Sequence, residues 1–268
     1  MSRVKALVLT GYGLNCDNET VRSLTLAGAD ARRVHINSLI SGDVSLSGFH
    51  ILVFGGGFSW GDDHGAGVVQ AVRMKTHVGD AILDFVAKER LIIGICNGFQ
   101  TLVNLGLLPG FDGNYQERCV ALTYNDCGNF RDQWVTVAVD MQSPCVFTRG
   151  IDRLDLPVRH GEGKFYAEKP VLDRLMVEKM VVLRYARKDG SPAGGVFPEN
   201  PNGSVHDIAG ICDPKGRIFG LMPHPEAFHH PTHHPDWPLF QEMARRGQPV
   251  PPSLQLGTRI FQNAVSFF

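Results

Sequence analysis

The chain has 268 residues, 43% of them hydrophobic, and a formal net charge of −1 at pH 7. A chain of this length buries a full hydrophobic core, and we expect one domain spanning residues 1–268. Because 26 basic residues nearly balance 27 acidic ones without long runs of one sign, the composition argues against nucleic-acid binding and favours an enzyme acting on a small molecule.

The first nine residues are predicted to form a strand, since their apolar run is too short for a signal peptide or a membrane span. The six cysteines are scattered and include no C-x-x-C pair, which argues against a disulfide framework and a thiolate zinc site. Free thiols fit a reducing compartment. We therefore expect a cytoplasmic protein that has no metal site and no contact with membranes.

Strand-like and helix-like segments alternate through the first half of the chain. Apolar runs typical of strands lie at residues 5–10, 31–36, 51–54 and 91–95. Helical spacing of apolar residues follows the first run, and residues 66–88 are predicted to form one or two covering helices whose inward face includes Val72. This alternation predicts an α/β fold with a mostly parallel central sheet and helices on both faces.

The hydrophobic pattern changes after residue 110. Period-two alternation and short apolar runs lie at residues 119–124, 134–139, 181–186, 208–211 and 217–222. They predict a small antiparallel sheet appended to the parallel core. The sequence has no linker, low-complexity tract or repeat, which supports a single domain.

One stretch joins a buried strand to a helix through a cysteine. The apolar run from Leu91 meets the pattern Gly94-x-Cys96-x-Gly98 and continues into helical spacing. Flanking glycines allow close backbone approach and strained dihedral angles, so the thiol is expected to lie over the N-terminus of the next helix. The helix dipole favours the thiolate there, and the two glycines favour a nucleophile over an inert core cysteine.

A base and its orienting group are predicted after the last strand, at His224 and Glu226. Residues two apart in an extended segment face the same side, so the carboxylate can fix the imidazole that serves the thiol. A His-x-Glu pattern alone is more often a solvated loop. The cysteine elbow elsewhere in the chain makes catalysis the better interpretation.

Backbone N–H groups are the candidates for stabilising an oxyanion. Asn97 follows the nucleophile directly, and Gly56 or Gly57 would supply the second donor from the run that begins at Gly55. A plain strand-to-helix turn is the alternative for this glycine run. It is not a phosphate-binding loop, because no Gly-Lys-Ser/Thr follows.

Together these motifs resemble the class I, or triad, glutamine amidotransferases. Within that class they are similar to the family of glutaminase components of phosphoribosylformylglycinamidine synthase. The stretches that carry the resemblance are residues 13–17, 57–62, 94–100, 159–165, 200–204 and 220–226.

The resemblance implies a flavodoxin-like core and hydrolysis of glutamine to glutamate and ammonia through a thioester on Cys96. It implies that Gln100 and a loop hold the amino-acid end of glutamine, although packing or capping is the alternative role for Gln100. The loop residues are Gly161, Gly163, Lys164 and Phe165. It also implies a partner synthetase subunit that uses ATP and magnesium to amidate formylglycinamide ribonucleotide, with no cofactor in this chain. Whether the complex also needs a third small subunit is left open.

The histidine-rich residues 229–234 are predicted to be a surface loop that could face a partner, because Pro231 and Pro235 break any helix that would align a metal site.

Two rival functions remain. One is a cysteine amidase, or a glutaminase of another pathway, on the same fold. The other is a non-catalytic scaffold, which an intact set of Cys96, His224 and Glu226 disfavours.

Overall fold

The computed structural model describes residues 3–248 and 256–268. The strands in these residues are β1 Lys5–Thr10, β2 Asp30–His35, β3 Ile51–Phe54, β4 Leu91–Ile95, β5 Val120–Thr123, β6 Arg131–Val139, β7 Arg153–His160, β8 Lys164–Ala167, β9 Val181–Ala186, β10 Ile208–Cys212 and β11 Ile218–Leu221. The α-helices are α1 Asp17–Leu26, α2 Ile36–Ile40, α3 Val68–Ala87, α4 Asn97–Leu105, α5 Lys169–Val177, α6 Trp237–Arg245 and α7 Thr258–Val265.

Nine of the strands form one sheet in the order β2-β1-β3-β4-β11-β10-β9-β6-β7. The pairs from β2 to β11 are parallel, and those from β11 to β7 are antiparallel. The remaining strands, β5 and β8, form a separate antiparallel pair. The predicted mostly parallel core with a small antiparallel sheet is confirmed, although most of the antiparallel strands continue the main sheet.

The parallel half of the sheet is buried on both faces. Every residue of β3 and β4 is buried, although successive side chains of a strand point to opposite faces. Continuous apolar runs are typical of parallel strands covered on both sides. Among the helices, α1 packs against α7 and α3 packs against α4.

The long helical segment is a single helix, α3, rather than two. Its buried side includes Met74, Val78, Ile82 and Phe85, which recur every three or four residues. The expectation for Val72 is wrong, since its side chain is 59% exposed. It lies about 160° around the helix from Met74, at 100° per residue, and so points away from the sheet.

Two elements near the site were not predicted. β7 is the last strand of the sheet and contains Pro157, which edge strands tolerate because one side of them needs no backbone donor. β8 includes Lys164 and Phe165, for which a loop is the expectation from sequence. In the parts of the chain that the structure describes, no helix has both the length and the apolar character needed to cross a membrane.

Candidate active site

Cys96 lies at the sharp turn between β4 and α4. Its backbone has φ 52° and ψ −107°, outside the regions that non-glycine residues normally adopt. A Cβ on Gly98 would lie 2.5 Å from the carbonyl carbon of Phe54, so α4 rests directly on the backbone of β3. The predicted strained elbow is confirmed, and its second glycine is required by this close approach.

The predicted nucleophile and the predicted base leave neighbouring strands at the same edge of the sheet. β4 and β11 are parallel neighbours, with Ile95 opposite Leu221, and the N–H of Cys96 donates to the carbonyl of Leu221 at 2.8 Å. Cys96 is 5% exposed, and its Sγ lies 3.5 Å from the carbonyl oxygen of Arg159. The main chain of β7 therefore covers the sulfur.

His224 and Glu226 form a buried pair. Nδ1 of His224 lies 2.6 Å from Oε1 of Glu226, and the two side chains are 2% and 0% exposed. The sequence predicts that an extended segment brings the two side chains together. In the structure a single 3-10 turn, formed by residues 225–227, brings them together instead. The N–H of His224 also donates to the carbonyl of Pro157 at 2.8 Å, which fixes the start of that turn against β7.

The electrostatics of this pair favour a protonated imidazole. Burial opposes the charge, but the Glu226 carboxylate and the neighbouring Cys96 sulfur outweigh it and hold the pKa of His224 well above its usual range. Within the described residues, Nε2 of His224 and Oε2 of Glu226 are buried without a hydrogen-bond partner. With Nδ1 turned to the carboxylate, Nε2 is the atom left to exchange a proton.

A second cysteine reaches the same imidazole. Sγ of Cys16 lies 3.9 Å from Nδ1 of His224, and its side chain is 5% exposed. Burial raises the pKa of the Cys16 thiol, so it stays protonated. Sequence reasoning missed this contact because the loop after β1 reaches the site through long-range bonds, such as that from Asn15 N–H to the carbonyl of Gly56 at 3.2 Å.

The expected oxyanion donors lie around these side chains. A Cβ on Gly56 would be 2.7 Å from Cε1 of His224, so this backbone lies against the imidazole. Gly57 has φ 141° and bridges to Leu14, a conformation that suits glycine. Asn97 is the first residue of α4, and its N–H therefore has no acceptor within the helix.

Gln100 belongs to a polar network one turn beyond the elbow. Its Oε1 accepts from Nδ2 of Asn97 at 3.2 Å, and its Nε2 donates to the carbonyl of Glu162. The amide of Gln100 is thus bonded at both ends within the protein. Nδ2 of Asn97 also donates to Asp62 at 2.8 Å, and burial raises the pKa of that carboxyl to about 6.

Asn125 organises the turn between β7 and β8. Its backbone N–H donates to the carbonyl of Gly161 at 2.9 Å, and its Oδ1 accepts from the N–H of Gly163 at 2.9 Å. Its Nδ2 donates to the carbonyl of His160 at 2.8 Å. Burial lowers the pKa of His160 to about 3, so this neighbour of His224 is neutral.

Lys164 and Phe165 are held by different partners from the rest of the turn. Nζ of Lys164 forms an ion pair with Asp126 at 2.6 Å. Phe165 is fully buried and stacks on Phe99, while its N–H donates to Oγ of Ser204 at 2.9 Å. The side chain of Phe165 is thus part of the core, and its backbone is the part joined to the 200–204 stretch.

A cavity of about 330 Å³ opens beside the imidazole. It is lined by Asn15, Cys16, Glu19, Gly57, Phe58, Phe130, Arg159 and His224. The rings of Phe58 and Phe130 are nearly half exposed and lie 6.1 Å apart. The cavity gives a small polar molecule a route to His224 between these rings.

Sequence comparison places this geometry in a known family. A sequence model of the CobB/CobQ-like glutamine amidotransferase domain matches residues 3–268. The phosphoribosylformylglycinamidine synthase subunit PurQ of Methanococcus maripaludis strain S2 is 43% identical over 265 residues, covering 98% of this chain and 97% of that protein. The PurQ subunit of Dehalococcoides mccartyi is 45% identical over 267 residues, covering 100% and 98%. The chain belongs to the PurQ family of glutamine amidotransferases.

Solved structures agree with this PurQ assignment. The structure of PurLQS from Thermotoga maritima matches with a TM-score of 0.71 and 26% identity over 99% of both chains. A glutamine amidotransferase from the same organism matches with a TM-score of 0.52 and 15% identity, covering 99% of this chain and 97% of that one, which shows the fold alone. The family resemblance expected from the motifs is confirmed.

The histidine-rich stretch of this PurQ-family chain is not a uniform surface loop. His234 is only 7% exposed, because its ring packs against Trp134, Phe228 and Phe240. The rings of His229 and His233 meet at 4.5 Å although no α-helix aligns them. Among the described residues, no metal-ligand cluster includes any of these histidines.

Proposed function

We propose that this PurQ-family chain is the glutaminase subunit of phosphoribosylformylglycinamidine synthase. It hydrolyses glutamine to glutamate and ammonia and supplies the ammonia to a synthetase subunit, which amidates formylglycinamide ribonucleotide with ATP in purine biosynthesis. The observation that carries this proposal is the strained Cys96 beside an imidazole that Glu226 holds at 2.6 Å. The full-length similarity to PurQ subunits supports the choice of pathway.

The first half of the reaction forms a thioester. The Cys96 sulfur attacks the side-chain carboxamide carbon of glutamine, and the N–H groups of Asn97 and of Gly56 or Gly57 stabilise the oxyanion. The carbon–nitrogen bond then breaks, and His224 delivers a proton from Nε2 to the departing ammonia. The raised pKa of His224 suits this step, because it keeps the proton available at neutral pH.

The second half returns the enzyme to its starting state. His224, now neutral, takes a proton from water, and the resulting hydroxide attacks the thioester carbon. The carbon–sulfur bond breaks, glutamate leaves, and the thiolate–imidazolium pair is restored. Glu226 keeps Nδ1 protonated throughout, so the same nitrogen, Nε2, serves both halves of the reaction.

The amino-acid end of glutamine is proposed to lie between α4 and the turn after β7. The hydrogen bond from Gln100 to the carbonyl of Glu162 joins these two elements into one wall. Gly161, Gly163, Lys164 and Phe165 would contribute mainly backbone groups, since Lys164 is paired with Asp126 and the Phe165 side chain is buried. Glutamine has both an ammonium and a carboxylate for such groups to bind.

The amidation itself is assigned to partners. This chain is proposed to act as one domain over residues 1–268 and to use no cofactor, while ATP and magnesium are bound by the synthetase. The structure named PurLQS supports a complex of this kind, and its name is consistent with a third subunit beside the synthetase. Since all six cysteines are free thiols, we assign the complex to the cytoplasm.

Reconstitution with the candidate synthetase tests the division of labour. Cys96→Ser should abolish glutamine-dependent amidation and leave ammonium-dependent amidation nearly intact. Cys119→Ser, at a half-buried thiol outside the site, is the matched control and should change neither rate. Loss of both activities in Cys96→Ser would contradict the proposal, and glutamine turnover by the isolated chain that ignores the synthetase would favour an independent amidase.

Covalent labelling gives a second test. A diazoketone analogue of glutamine should modify Cys96 alone, as located by mass spectrometry of the digested complex. Absence of labelling even with the synthetase present would favour the non-catalytic scaffold.

A further inference from the structure

We propose that Cys16, His224 and Glu226 form a binding site for Zn²⁺, and that zinc bound there inhibits the glutaminase reaction. Such a site lies beside the nucleophile but does not use it. Zinc binding rests only on the geometry of the three side chains, whereas inhibition also rests on the proposed function.

The three side chains offer the ligand types that zinc prefers. One sulfur, one imidazole nitrogen and one carboxylate oxygen lie within 4.8 Å of one another. Zinc binds sulfur at about 2.3 Å and nitrogen or oxygen at about 2.0–2.2 Å, which places sulfur and nitrogen ligands about 3.5 Å apart in a tetrahedral site. Sγ of Cys16 is already 3.9 Å from Nδ1 of His224. Oε1 of Glu226, which is hydrogen-bonded 2.6 Å from Nδ1, would move to about 3.3 Å as both atoms turn to the ion.

An unsatisfied buried atom points to a cation independently of the cysteine. Among the described residues, Oε2 of Glu226 has no hydrogen-bond partner although its side chain is 0% exposed. Burying a carboxylate oxygen without a donor costs free energy. A cation between Glu226, His224 and Cys16 would replace the proton shared at Nδ1 and the thiol proton.

The cavity beside the imidazole provides access and a fourth ligand. It reaches both Cys16 and His224, so a hydrated ion can enter and keep one water molecule. Glu19 lines the same cavity and adds negative charge. Arg159 also lines it, but its Nε lies 3.9 Å from Asp132, which offsets its charge.

Zinc in this position would remove the base without touching Cys96. Coordination of Nδ1 withdraws electron density from the imidazole and takes the Glu226 carboxylate away from its orienting role, so Nε2 can no longer exchange the proton that the thioester steps need. The lack of a C-x-x-C pair argued only against a zinc site built from neighbouring cysteines. The present site has one cysteine ligand from the loop before α1 and two ligands from the turn after β11, so that argument does not exclude it.

Cobalt binding to the full chain tests the site directly. Co²⁺ takes the same ligands as zinc, and a cobalt–thiolate bond gives a near-ultraviolet charge-transfer absorption. This absorption should appear in the wild type, Cys96→Ser and Cys119→Ser, disappear in Cys16→Ser and Cys16→Ala, and be lost when Zn²⁺ is added. Circular dichroism checks that both Cys16 variants are folded.

Zinc inhibition of the reconstituted complex tests the consequence. Cys16→Ser should need about tenfold more free Zn²⁺, or more, for half-inhibition, measured against its own uninhibited rate, since it lacks one ligand. An absorption that persists without Cys16, or that is lost in Cys96→Ser, would overturn the site, as would equal inhibition of the wild type and Cys16→Ser. If the complex gave the expected cobalt spectra but had no glutaminase activity, the metal site would be supported and only the proposed function would be contradicted.

Discussion

Replacing Gly98 with alanine tests whether contact between α4 and β3 positions Cys96, the proposed nucleophile. The added Cβ would lie 2.5 Å from the carbonyl carbon of Phe54, whereas ordinary contact begins at 3.4 Å, so the helix must move by at least 0.9 Å. The obstacle is backbone and cannot rotate away. We expect the free energy of unfolding to fall by about 1–3 kcal/mol, the usual cost of overpacking. A displacement near 1 Å at the reacting group should also lower glutamine turnover about 10²-fold.

Gly79→Ala is the matched control for this experiment. Gly79 lies within α3, where an added Cβ meets nothing within 4 Å, so alanine should stabilise the protein by about 0.4–1 kcal/mol. Urea unfolding measures both stabilities, and reconstitution measures glutamine-dependent and ammonium-dependent amidation. Ammonium-dependent amidation should be unchanged in both variants. If Gly98→Ala matched Gly79→Ala in stability and rate, the close approach would have no role in positioning Cys96.

Three further substitutions probe the surrounding site. Glu226→Gln removes the charge beside His224, so glutamine-dependent activity should fall about 10⁴-fold, as for the orienting carboxylate of other triads, and a normal rate would refute the triad. Asp62 has a pKa of about 6 in the folded protein against an ordinary value of 3.8, so folding takes up a proton between these values. The wild type should therefore gain stability relative to Asp62→Asn as the pH falls from about 7 to about 4 in urea titrations, and a constant difference would contradict the shift. Asn125→Ala leaves the N–H of Gly163 without its acceptor, and we expect a loss of about 2–4 kcal/mol in the same assay; an unchanged unfolding midpoint would argue against its organising role.

Features that depend on local pattern were predictable from the sequence. The elbow at Cys96 follows from an apolar run, two glycines and a helix that are adjacent in the chain. The burial of β3 and β4 follows from their continuous apolar runs. In both cases, the residues that determine the conformation lie within a few positions of one another.

Features that depend on long-range packing were not predictable in the same way. The contact between Cys16 and His224 joins residues 208 positions apart, and neither has a local pattern that indicates the other. β7 alternates polar and apolar residues from Arg153 to Arg159, but Pro157 lies in its middle and argues against a strand, and its pairing with β6 determines its conformation. The polarity of His234 predicts a surface position, whereas its ring is covered in part by Trp134, which lies in the distant strand β6.

The pairing of β4 with β11 has a consequence for redesign of the enzyme. Parallel strands are spaced about 4.8 Å apart, and this spacing varies little between proteins. Cys96 and His224 follow two neighbouring parallel strands, so the sheet sets the distance between them. The turn after β7 and the glycine loop after β3 are separate segments that surround these two residues. An engineer seeking a new amide substrate could therefore exchange these segments one at a time and keep the sulfur and the imidazole aligned.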